Sequence, residues 1–67
     1  MNSLFVFADI LKSLTRIESQ INNLANTYES VEARTDIDEA LIDQFLVQAS
    51  GIETSATALK TIVYNPS

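Results

Sequence analysis

Apolar residues recur through the first half of the chain at a strict spacing. Phe7, Ile10, Leu14, Ile17, Ile21, Leu24, Tyr28 and Val31 follow one another at intervals of 3-4-3-4-3-4-3. That is the 3.5-residue period of a helix packed along one seam. The positions between them, Ser13, Gln20 and Thr27 included, are largely polar and read as a solvated face. The pattern predicts a helix over about residues 3–33. The second half repeats it: Ile42, Phe45, Ala49, Ile52, Ala56, Leu59 and Val63 are spaced 3-4-3-4-3-4, and Leu41, Leu46 and Ile62 widen the stripe on one shoulder. A second helix is predicted over about residues 37–64. Thr35 or Asp36 is its expected N-cap, and Asp36 with Glu39 forms a variant of the capping box. Asn65-Pro66 is the expected terminator.

Residues 34–36 are left as a tight turn, and a link that short makes the two helices antiparallel neighbours. The expected fold is therefore all-α: one domain over residues 1–67, two long antiparallel helices forming a coiled-coil-like hairpin. Its questionable point is Ser50-Gly51, since glycine inside a helix costs about 1 kcal/mol relative to alanine. A break there and a continuous helix are both open readings. The heptad passes through Ile52 without a change of phase, which favours continuity.

The apolar residues at the open end exceed what one seam needs. Leu4, Phe5, Val6, Phe7, Ala8, Ile10 and Leu11 surround the first helix, and folding the hairpin brings Ile62, Val63 and Tyr64 beside them. A helix that is apolar all round requires burial on all sides. A partner contact is therefore expected at Leu4, Phe5, Val6, Phe7, Leu11, Ile62, Val63 and Tyr64.

Charge is polarised in the opposite sense. Residues 29–43 carry Glu29, Glu32, Asp36, Asp38, Glu39 and Asp43 against Arg34, a local net charge of −5 that equals the net charge of the chain. The tip formed by Glu32, Asp36, Asp38, Glu39 and Asp43 is a secondary candidate surface. Solubility and helix capping account for it most simply. Head-to-tail packing of the tip on Lys12, Arg16 and Lys60 of another subunit is the sharper account.

Composition closes several routes. Cysteine and histidine are absent, which removes disulfides, thiolate metal sites and the commonest general base. Asp36-Ile37-Asp38-Glu39 with Asp43 suggests a calcium loop only superficially. Leu41 stands where such a loop needs glycine, and Val47 where it needs glutamate. No cofactor and no catalytic residue is expected. The acidic balance argues against bare nucleic acid as a partner. The longest apolar run, Leu4 to Ala8, is far short of the roughly 20 residues of a membrane span. No basic segment precedes it as in a signal peptide, and localisation stays unassigned.

Two short segments resemble known families. Gln44-Phe45-Leu46-Val47-Gln48 followed by Leu59-Lys60-Thr61-Ile62 is similar to the second helix of type III secretion needle subunits, with a two-residue deletion needed to align both pieces. Phe7-Ala8-Asp9-Ile10-Leu11-Lys12 resembles the start of the flagellar basal-body rod adaptor, without the rest of that pattern. These matches cover less than half of the chain and identify no family. They point to a small, non-enzymatic structural subunit of a multi-copy assembly, of the virion, tail, secretion-needle, rod or filament type. The alternatives are an adaptor or chaperone for one client protein, and a small host-directed inhibitor acting through the acidic tip.

Overall fold

The computed structural model describes residues 3–65. Two helices, α1 (Ser3–Glu32) and α2 (Glu39–Tyr64), pack against each other along their length as a helical hairpin. The molecule is a rod of 53 × 15 × 11 Å with a radius of gyration of 15.6 Å. A compact chain of this length would have a radius near 11 Å, so the hairpin has traded a closed core for length.

The helix ends are set by local chemistry. At the end of α1 the Ala33 N–H donates to the Glu29 carbonyl at 3.0 Å and the Arg34 N–H to the Val31 carbonyl at 3.2 Å. This tighter last hydrogen bond closes the helix without a glycine. The link runs over residues 33–38, longer than the three-residue turn expected. The Arg34 guanidinium lies 3.6 Å from the Asp36 carboxylate and 3.3 Å from that of Asp38, which folds the link back on itself. Asp38, not Thr35 or Asp36, is the N-cap of α2. Its backbone is extended (φ −110°, ψ 97°), and its Oδ1 accepts the Leu41 N–H at 3.1 Å. The capping box expected from Asp36 and Glu39 is displaced because Asp36 is engaged by Arg34 two residues before the N-cap. At the other end the Asn65 N–H donates to the Thr61 carbonyl at 2.8 Å. Pro66, the other half of the expected terminator, lies outside the described residues.

α2 is continuous through Ser50-Gly51, so the break left open by the sequence does not occur. Gly51 has no positive φ. A Cβ built there would meet only the end of the Gln20 side chain, at 3.4 Å.

The phase of the seam differs from expectation by one residue along α1 and in the second half of α2. On α1, Val6, Ile10, Ser13, Ile17, Gln20, Leu24, Thr27 and Val31 turn inward. Ile10, Ile17, Leu24 and Val31 are the expected half. The other half replaces Phe7, Leu14, Ile21 and Tyr28 by the residue just before each. On α2 Leu41, Ile42, Phe45, Gln48, Ala49, Ile52, Ser55, Leu59 and Ile62 turn inward. Here Ile42, Phe45, Ala49, Ile52 and Leu59 hold, with Leu41 and Gln48 beside them, while Ser55 and Ile62 displace Ala56 and Val63. The reason is steric. Ser13, Thr27 and Ser55 are small, and placing them between the helices lets the backbones approach. The larger apolar column is left on the flank. Thr27 and Ser55, 7% and 9% exposed, are the only buried side chains among the described residues, and no apolar side chain is fully buried.

Polar seam residues carry a penalty. The Gln20 and Gln48 side-chain oxygens are buried without a hydrogen-bond partner. A buried acceptor left unmade costs about 1–3 kcal/mol.

Three stability predictions follow from these contacts, each checked by chemical denaturation with helicity as the signal. Asp38→Ala should lose about 1 kcal/mol, the worth of an N-cap, while Asp36→Ala should change little; the reverse order would contradict the capping geometry. Gly51→Ala should gain up to about 1 kcal/mol from helix propensity. The double variant Gln20→Leu/Gln48→Leu should be more stable than the native chain by about 1–3 kcal/mol, because both unsatisfied acceptors are removed together. A destabilised double variant would show that the amides are satisfied.

Candidate partner-binding surface

The one-residue rotation decides which side of the rod is apolar. In an antiparallel pair, advancing by one residue along either helix turns toward the same side of the pair. Residues just after the seam positions therefore share one face, and residues just before them share the other. The second group is seen directly. Asn23 of α1 and Val47 and Gly51 of α2 line one open cleft of about 240 Å³ together with the seam residues Gln20 and Gln48. The cleft carries no ionisable group.

The opposite face is apolar along the rod. On α1 it consists of Phe7 (65% exposed), Leu11 (65%), Leu14 (48%), Ile21 (50%) and Tyr28 (52%). These positions, with Glu18 and Ala25, repeat at 4-3-4-3-4-3, so α1 bears a second helical stripe beside its seam. On α2 the same side carries the half-buried Ile42 and Ala49 and the exposed Ala56 and Val63, with Leu46, Glu53 and Lys60 further out. The Tyr28 ring reaches across to Phe45, centroid to centroid 6.1 Å at 47°. That contact fixes the face: the column that leaves the seam on α1 leans over the corresponding side of α2. Exposed hydroxyls on both helices bond back to their own backbones: Thr15 to the Leu11 carbonyl (3.0 Å), Ser30 to Asn26 (3.4 Å), Thr54 to Ser50 (3.2 Å) and Thr61 to Thr57 (3.1 Å).

The residues expected at the open end divide between seam and surface. Val6 and Ile62 are half-buried in the seam. Leu4 (72% exposed), Phe5 (68%), Phe7, Leu11, Val63 (52%) and Tyr64 (73%) lie outward. Phe5 faces away from the apolar face, and the Lys60 ammonium sits 5.9 Å over the Tyr64 ring. The structure thus extends the apolar surface from the open end along the whole of α1. Leu14, Ile21 and Tyr28 were assigned to the seam by their period. The signal that separates them is the width of the apolar sector. The columns of Ile10, Phe7 and Leu11 together span more of the helix than one neighbour covers.

At the acidic tip, Glu32, Asp36, Glu39 and Asp43 are exposed and Asp38 is half-buried. Asp38 and Asp36 are already engaged by Arg34, and Asp38 also by the α2 N-terminus. Ile37, 82% exposed, stands among these acids, a feature the charge pattern did not show. No group of three or more potential ligands capable of holding a metal ion occurs among the described residues. Among the described residues no helix is long and apolar enough to cross a membrane. No protein-family model, curated protein or solved structure matches the chain.

Proposed function

We propose that the chain is a non-enzymatic structural subunit that packs through helix–helix contacts into an assembly of protein chains. One observation carries this reading. A stripe of large apolar side chains runs along α1 outside the hairpin seam, in a molecule whose seam fully buries no apolar side chain. Exposed apolar surface of this extent marks an interaction site. A 67-residue chain without cysteine gains its missing core most simply from another chain. The cleft on the other face has no acid, base or nucleophile with which to support catalysis. The acidic tip supports the inhibitor alternative less well, since Asp36 and Asp38 are bound up in the link.

The test is the association state by sedimentation. The native chain should associate in the micromolar range. Leu14→Glu/Ile21→Glu should keep its helicity, as both positions are outside the seam. It should associate at least about a hundredfold more weakly, because burying each apolar side chain contributes about 1.5–3 kcal/mol and 1.4 kcal/mol is tenfold. A native chain that stays monomeric near 1 mM (about −4 kcal/mol in binding free energy) would overturn the proposal. Retention of a single foreign client by that monomer would then support the adaptor alternative.

A further inference from the structure

We infer that the occupant of the apolar face is a second copy of this chain, docked face to face with its ends reversed to make a closed four-helix bundle. The inference rests on the assembly reading above and specifies its partner and geometry.

Size is the first argument. The rod is 53 Å long and 15 Å across, a footprint of about 800 Å², which is what each partner contributes to a stable interface of standard size. Two such faces would enclose the columns that a single hairpin leaves open.

Pairing is the second. The Tyr28–Phe45 and Gln20–Gly51 contacts fix the relative heights of the helices. Extrapolated along the rod, they put Ala56 level with Arg16. The α1 stripe from Phe7 to Tyr28 is centred within about two residues of that height. A two-fold axis crossing the rod there therefore serves both helices. On α1 it sets Phe7 against Ala25 of the second copy and Leu11 against Ile21, large beside small or apolar beside apolar. On α2 it sets Ala56 against its own counterpart, where small residues permit close approach. Glu53 then meets Lys60 of the second copy, and Lys60 meets Glu53. These are the two charges on the α2 side of the face. Glu18 comes opposite Leu14 and is the weak point of the arrangement.

Long-range charge is the third. A two-fold axis along the rod would also bring the apolar faces together. It would place the two acidic tips, each of net charge −5, side by side, and Glu18 level with Glu53 of the second copy. Reversed ends hold the tips at opposite extremes of a 53 Å rod, several Debye lengths apart at about 8–10 Å each. The contact is isologous and closes on itself, so it gives a dimer and not an open filament.

The chain has no cysteine of its own, so single-cysteine variants of the full chain test the geometry cleanly. Ala56→Cys should oxidise to a covalent dimer, and Thr54→Cys, on the opposite face, should not. Lys60→Glu should weaken association at least fivefold, and adding Glu53→Lys in the same chain should restore it. Sedimentation of the native chain separates the two levels of the claim. If it associates, but Thr54→Cys cross-links as readily as Ala56→Cys or the double reversal fails to restore binding, the paired geometry is overturned and the assembly reading stands. If it is monomeric near 1 mM, both fall. Selective cross-linking at Ala56 together with charge-reversal rescue establishes the reversed dimer.

Discussion

Two helices side by side enclose nothing. Each has one neighbour, and one neighbour covers only a narrow stripe of its circumference. Every other feature of this molecule depends on that constraint. The seam half-buries its apolar side chains, and the only buried side chains among the described residues, Thr27 and Ser55, are small and polar. The apolar sector of α1 is wider than the stripe that α2 covers. The hairpin must therefore choose which edge of the sector to face, and it faces the edge with the small residues. Close backbone approach gains more dispersion contact per residue. The larger side chains are left pointing past the partner helix.

This choice explains how far the sequence could be read. The two helices and their antiparallel pairing follow from period and from the scarcity of breakers, and the unbroken phase through Ile52 favours continuity at Gly51 without deciding it. Ile10, Ile17, Leu24, Phe45, Ile52 and Leu59 are seam residues in either phase, because they belong to the column common to both. The phase itself was not legible. A 3-4 spacing marks the direction of greatest apolarity. In a hairpin, packing follows the direction of closest approach, which Ser13, Thr27 and Ser55 set. The same confusion of apolar with interior confined the expected partner surface to the open end. The width of the apolar sector, and not its centre, held the missing information.

The link shows a second kind of competition. Asp36, Asp38 and Glu39 all have the chemistry of a helix start, and a capping motif alone does not rank them. Arg34 does. By drawing Asp36 and Asp38 toward one guanidinium, it delays the helix until Asp38 can reach the Leu41 N–H. The pair of ion contacts is exposed, so its contribution to stability is small. Its effect is on where the helix begins. The acidic cluster is therefore partly a folding device, and this reduces what remains of it for binding.

The two glutamines raise the question of what a seam of modest strength is for. Buried amides weaken a helix pair, yet a polar residue in a seam also selects a register and a partner, because any slip strands it against apolar side chains. Gln20 and Gln48 line one cleft together across the seam. A hairpin held by such a seam is specific in its internal pairing while leaving its strongest apolar column unused. That division suits a subunit whose own fold must be unambiguous before its outer face is covered. An entirely apolar seam would make inner and outer columns interchangeable, and the chain would then have no physical basis for distinguishing its own second helix from a neighbour's.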